Sequence, residues 1–297
     1  MGRPGRLGIG VIGAGKVGAV LGAALRAAEH AVVGVHAVSE ASRERAEMLL
    51  PDVPVLPIPE IVRRSELVLL AVPDDELAPL VRGLAEAGHW QVGQLVVHTA
   101  GRFGTAVLEP AREAGAIPLA IHPAMSFTGM SLDLVRLQDC LFGVTAAAPV
   151  LPIAQALVVE MGAESTVIAE EDRTLYHAAL AHASNHLVTI TGQSAELLRS
   201  IGIERPDRVL GPLMRASLEN ALASGEGALT GPVARGDSGT VDVHRAALVR
   251  HGVPADVRAA YLSLARATAQ RALARGLLTE AQAAAVLDAL GPADPAS

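Results

Sequence analysis

The sequence predicts an α/β protein: a doubly wound, mostly parallel sheet over residues 1–170, followed by an all-helical domain over 171–297. Three observations predict it. Apolar runs alternate with helix-like stretches through the first part of the chain, as strands joined by crossover helices do. A glycine-rich turn follows the first of those runs. Beyond about Glu170 the runs cease, and alanine-rich amphipathic stretches replace them.

Taken in order, residues 7–12 read as a buried strand and 17–28 as a helix rich in alanine and leucine. Arg3 and Arg6 ahead of this apolar stretch imitate a secretory signal. Lys16 and Arg26 interrupt it and a second strand follows at once, so the segment is expected to be folded protein. Further strands are expected at 31–37, 66–72, 94–99, 117–122, 140–145 and 165–169. Residues 171–200 hold no proline and only one glycine, Gly192, and predict a long helix. Other helices are expected from near Pro206, Ser238, Pro254 and Thr279, with a frayed tail at 291–297.

Composition narrows the function. The chain of 297 residues exceeds what one hydrophobic core usually serves. A formal charge of -7 and 2% aromatic residues argue against a nucleic-acid surface, and no apolar stretch is long enough to span a bilayer. The one cysteine, Cys140, gives neither an intramolecular disulfide nor a cysteine metal cluster, and a cytoplasmic location is the default expectation. Lys16 is the single lysine, so chemistry that needs a lysine elsewhere is excluded.

The segment Gly13-Ala14-Gly15-Lys16-Val17-Gly18 carries the strongest signal. Gly13 permits a tight turn, Gly15 lets a pyrophosphate approach the backbone, and Gly18 and Gly22 let the helix approach the sheet. Unpaired N–H groups at the helix start would then face the phosphates. Dinucleotide binding is the expectation; a glycine-rich turn without ligand is the alternative. At the end of the second strand no carboxylate stands in the window His36-Ala37-Val38-Ser39, where one would hold the ribose hydroxyl of NAD. Ser39, Arg43 and Arg45 suit a 2′-phosphate, which favours NADP over NAD, although Glu40 is close by and both arginines could lie on a solvated face. Ala71-Val72-Pro73 leaves another strand at the edge where cofactors bind; Asp74 and Asp75 after it could equally cap a helix.

Two strand ends carry polar chemistry, His98-Thr99 and His122-Pro123-Ala124-Met125-Ser126. Both histidines are expected to point into the cofactor crevice, where an imidazole can donate to a substrate oxygen or shuttle a proton; a structural, hydrogen-bonded histidine is the competing reading for each. Thr99 is expected at the cofactor, and His98 and Ser126 at the substrate. On the long helix His177 and Asn185 are eight residues apart and share a face. His182 and His186 have the spacing of a metal pair but lack a carboxylate between them, so no metal is expected. In the segment from Thr230 to Asp237, Arg235 could clamp a carboxylate, and Asp237 or Ser238 could cap the next helix; an ordinary interhelical turn would look the same.

The phrases GVIGAGKVG, LLAVPDDEL, VVHTAG, IHPAMSFTG, YHAALAHASNHLVT and LTGPVARGD together resemble Rossmann-like proteins that carry a C-terminal domain of unknown function, DUF2520. These sit within the larger 6-phosphogluconate-dehydrogenase-like group. The resemblance spans nearly the whole chain. It implies a nucleotide-binding domain, a helical domain that often dimerises, and NADP-dependent oxidoreduction of an unassigned small molecule, with a keto acid such as ketopantoate as one candidate. IHPAMSFTG also resembles, more distantly, the His-Pro segment of prephenate dehydrogenases, which implies a catalytic role for His122. The turn holding Thr230 and Pro232 is similar in placement to the substrate loop of pyrroline-carboxylate reductases. Ketopantoate reductases and hydroxyacid dehydrogenases carry a catalytic lysine on the first long helix of the second domain; here there is none, and His177 with Asn185 is the expected replacement. The expected reaction is hydride transfer between NADP(H) and a small carbonyl, imine or alcohol. The alternatives are a non-catalytic NADP(H)-binding regulator or scaffold and a prephenate-dehydrogenase-like enzyme.

Overall fold

The computed structural model describes residues 6–292. Arg3 and the part of the expected tail from 293 onward lie outside the described residues. Each expected strand forms: β1 (Gly8–Ile12), then α1 (Lys16–Ala27), β2 (Ala31–His36), α2 (Glu40–Leu49), α3 (Ile58–Arg64), β3 (Leu67–Leu70) and α4 (Asp74–Glu86). There follow β4 (Leu95–His98), α5 (Glu109–Glu113), β5 (Ile117–Pro123), α6 (Leu132–Arg136), β6 (Leu141–Thr145), α7 (Leu151–Glu160) and β7 (Glu164–Val167). The seven strands form one sheet in the order β2-β1-β3-β4-β5-β6-β7. β1 to β5 are parallel, β6 lies antiparallel to β5, and β7 pairs parallel with β6.

Alternation along the central strands explains why helices cover both faces. Ile9, Val11, Leu67, Leu69, Leu95 and Val97 face one layer with α1 and α7, while Ile12, Val68, Leu70 and Val96 face another with α3, α4 and α5. The single tryptophan, Trp90, sits in the second layer and donates its indole N–H to the Val81 carbonyl at 3.1 Å. The strand order reverses between β1 and β3, so their carboxyl ends open the crevice where ligands of such sheets bind.

The remaining elements are helical: α8 (Arg173–Ser200), α9 (Pro206–Ser224), α10 (Gly231–Ala234), α11 (Ser238–Arg250), α12 (Ala255–Ala274) and α13 (Glu280–Ala289). The chain forms two compact units, Met1–Ser184 and Asn185–Ser297, and the division falls inside α8. In the second unit a small core gathers Val233, Val241, Ala265, Ala269, Val286 and Leu290 from the last four helices. Thr279 and Gln282 form a capping box at the start of α13. By contrast, α8 buries only Arg173, and α9 only Pro206 and Leu210. No helix among the described residues is long and apolar enough to cross a membrane.

Candidate active site

The glycine turn is built as its spacing requires. Gly13 has φ +100°, and a Cβ there would lie 2.4 Å from the Ala71 carbonyl oxygen, so only glycine lets β1 end against the end of β3. A Cβ on Gly18 would stand 2.0 Å from the Gly13 oxygen. Above Gly15 nothing lies within 4 Å of a Cβ position, which leaves the start of α1 open to a ligand. The first-turn amides of Lys16, Val17 and Gly18 have no carbonyl to meet inside the helix. Those of Gly13 and Ala14 both donate to the His36 carbonyl, at 3.2 and 3.0 Å, and so fasten the turn to β2.

Around this turn, Ser39 caps α2 by accepting from the Ser42 amide, and Arg43 is exposed one helical turn further on. The Ser39 hydroxyl hydrogen remains to be donated. Arg45 folds the other way and donates to the Ala14 carbonyl at 3.2 Å. Its side chain and that of Lys16 lie against Gly129, in the loop after β5. The buried Asp133 carboxylate shapes that loop by accepting from the Thr128 and Gly129 amides, and these hydrogen bonds hold its carboxyl below the usual carboxylate range against the opposing effect of burial. Pro73 precedes α4; Asp74 and Asp75 lie in its first turn rather than at its cap, and Asp74 accepts from Arg102 at 2.9 Å.

His98 does not point into a crevice. It is 0% exposed, donates from Nε2 to the Gly104 carbonyl at 2.7 Å and accepts at Nδ1 from the Ala100 amide at 3.2 Å. Both ring nitrogens are committed to the loop after β4, which leaves none for a substrate. Burial pushes its pKa down to about 4, so the ring is neutral. The same loop is held from outside by Glu170, whose carboxylate accepts from the Thr105 and Ala106 amides.

His122, at the end of β5, has different surroundings. Its Nδ1 meets the Tyr176 hydroxyl at 3.0 Å, and its ring lies edge-on to that of His177 with centroids 5.9 Å apart. A Cβ on Gly101 would strike both imidazoles, so that glycine makes the room in which they meet. Burial is the largest cause that lowers the His122 pKa to about 4; His177, Arg173 and His98 add to it. Beneath the pair lies Arg173, 1% exposed, donating to the Thr145 hydroxyl and to the Ala120 and Gly143 carbonyls. Its Nη1 has no hydrogen-bond partner, and no carboxylate among the described residues is within ion-pair distance. Ser126 Oγ lies 3.3 Å from Ser184 Oγ on α8.

Of the expected site residues, the structure thus brings together His122 and His177, and it sets Ser126 against α8. Thr99 follows β4, its amide donating to the Leu70 carbonyl. Asn185 is exposed on α8, two turns beyond His177. In the second unit Thr230 lines a cavity of about 330 Å³ together with Gln193, His244 and Tyr261. Arg235 is exposed at the end of α10, and Asp237 caps α11 by accepting from Thr240. Among the described residues no group of three His, Cys, Asp or Glu side chains could hold a metal. Sequence reasoning missed Arg173 and Glu170. In the run Glu170-Glu171-Asp172-Arg173 every side chain suggests a solvated helix start, and only the reach of Arg173 under β5 and β6 shows otherwise.

Residues 2–123 match a Rossmann-like domain, and residues 140–268 match a domain of unknown function, DUF2520. The chain joins a Rossmann-like domain to a DUF2520 domain. No curated protein matches this Rossmann-DUF2520 chain. Among solved structures it is similar to a Bacteroides fragilis protein provisionally named an NADP oxidoreductase, with 23% identity, TM-score 0.72, and 89% of this chain and 98% of that one covered. An imine reductase from Myxococcus stipitatus in complex with NADP+ matches with 18% identity and TM-score 0.68 over 91% of this chain and 100% of the other. A pyrroline carboxylate reductase from Plasmodium falciparum with NADP bound matches with 11% identity and TM-score 0.55, covering 97% and 100%. At these identities the likeness is one of fold.

Proposed function

We propose that this protein is an NADP-dependent oxidoreductase that transfers a hydride between the nicotinamide and a small carbonyl, imine or alcohol substrate. The observation that carries the reading is the conjunction, within one unit, of a glycine turn open above Gly15 at the end of β1 and a His122–His177 pair at the end of β5, on the same edge of the sheet. The turn fits a dinucleotide: free first-turn amides face an open approach, and Ser39 with Arg43 suits a 2′-phosphate. NADP+ in the M. stipitatus structure and NADP in the P. falciparum one support the same cofactor.

When bound, the cofactor supplies the hydride. The chain's own residues hold and polarise the substrate. His122 donates a hydrogen bond to the substrate's reacting oxygen or nitrogen, with His177 beside it and Ser126 on the adjoining loop. A second copy of the chain is proposed to cover α8 and α9, where Val188 and Leu222 are 72% and 79% exposed. A cytoplasmic location accords with the lone buried cysteine.

The test is calorimetry with NADPH and NADH, followed by loss of NADPH absorbance against a panel of small keto acids, ketones and cyclic imines. Micromolar NADPH binding with turnover of at least one substrate is expected. His122→Ala should lower kcat by about 10²-fold or more while NADPH affinity stays unchanged. Binding without turnover across the panel would leave a regulator; absence of binding would end the reading.

A further inference from the structure

The two tyrosines of the chain both hydrogen-bond a histidine, and one of these pairs lies in the proposed active site. We propose that Tyr176 is a positioning residue that donates its hydroxyl hydrogen to His122 Nδ1, so that the imidazole presents Nε2–H to a hydrogen-bond-accepting carbonyl oxygen rather than to an iminium. This rests on the reductase reading above for its substrate half alone.

The geometry argues it in two steps. The first concerns the proton. The Tyr176 oxygen lies 3.0 Å from His122 Nδ1, the phenol ring is pressed against Gly143, and burial raises the phenol pKa, so the hydroxyl keeps its hydrogen. Among the described residues Nδ1 is the hydrogen-bond partner of this hydroxyl, so its hydrogen has an acceptor only if the ring accepts, and a neutral imidazole that accepts at Nδ1 carries its proton on Nε2. That nitrogen is the ring atom nearest Gly101, on the side shared with His177. His98 offers the contrast within the same sheet, since both its nitrogens are taken by main chain.

The second step concerns charge. The groups around His122 are Arg173, Tyr176 and His177 on α8 and His98 on β4. One of these is a permanent cation: Arg173 is buried with an unpartnered Nη1, its guanidinium carbon 5.9 Å from the Tyr176 ring centre, and burial outweighs the favourable influence of Tyr176 and Glu170 on its charge. A buried cation beneath the ring opposes a second one, whether an imidazolium or a substrate iminium, and favours an oxygen on which negative charge develops as hydride arrives. A neutral N–H donor on such an oxygen can polarise a carbonyl without being an imidazolium.

The experiment has two arms on the full chain. Histidine nitrogen–proton correlation spectra near neutral pH, assigned with His122→Gln, are expected to show His122 protonated on Nε2 alone; in Tyr176→Phe the two tautomers should become mixed. A His122 proton on Nδ1 in the unaltered protein, or an unchanged tautomer in Tyr176→Phe, overturns the assignment. This arm needs no turnover and is decided even if no substrate is found. In the second arm, carbonyls should be reduced at least about 10-fold faster than cyclic imines of matched size, and Tyr176→Phe should lower kcat about 10-fold with little change in KM. A preference for imines overturns the substrate half. Turnover of neither class, with NADPH bound, removes that half together with the reductase reading and leaves the tautomer result standing on its own.

Discussion

Gly15 and Gly18 are three residues apart and are glycine for different reasons, which substitutions can separate. A Cβ at Gly15 meets no protein atom within 4 Å, whereas at Gly18 it would stand 2.0 Å from the Gly13 oxygen. Gly15→Val is therefore expected to fold with an unchanged Tm and to weaken NADPH binding at least about 10-fold, because the branched group occupies the approach to the α1 amides. Gly18→Ala should cost roughly 1–3 kcal/mol of stability through overpacking before affinity is considered. Thermal melts with NADPH titrations distinguish the two; equal losses of Tm would contradict the open space above Gly15. At this scale the sequence was most legible where backbone geometry dictates the residue, as at Gly13, Gly15 and Gly18. It was least legible where a polar side chain has two uses. Nothing in the local sequence separates His98, spent on main chain, from His122, which is not: each ends a strand and is followed by small residues. Arg173 was hidden for the same reason, because its partners are carbonyls on strands far away in sequence.

Among elements, the loop after β4 shows how a buried ring couples to pH. His98 ties Ala100 to Gly104 as a neutral imidazole, with a pKa of about 4 against 6.5 for an ordinary histidine. Between those values the unfolded chain takes up a proton that the folded chain does not, so the stability is fully present above about pH 6.5 and is lost as pH falls toward 4. The shift corresponds to roughly 3 kcal/mol, and His122 adds to it in the same direction. Urea titrations from pH 7 down to 4.5 should show the midpoint falling steadily. His98→Gln should be less stable at pH 7 and have a flatter profile; an equally steep profile in that variant would place the effect elsewhere. Strand positions were legible to within one or two residues because apolar runs flanked by glycine and proline leave few alternatives. The reversal of β6 was not, since a buried strand has the same composition in either direction.

On the scale of the molecule, the two units differ in how well they satisfy themselves. The sheet buries both faces, but α9 buries two residues of nineteen, and Val209, Leu213 and Leu222 remain exposed along it. A second copy is the simplest cover for such helices. Light scattering should return twice 30.5 kDa, and Leu213→Glu with Leu222→Glu should return the single mass with the first unit's fold retained. A monomer in the unaltered protein would refute this. Alanine-rich periodicity announced these helices in the sequence, yet it could not say what lies against them, because the same stripe serves a partner helix of either chain.

The placement of Trp90 has a practical outcome for all of these measurements. As the chain's sole indole, buried between α4 and the sheet, its emission follows the melting of the first unit and is blind to the other. Far-ultraviolet dichroism, dominated by the long helices, weighs the second half heavily. Heating curves from the two probes should coincide if the halves melt together and separate if they do not, so the energetic coupling between them can be measured without cutting the chain or attaching a label.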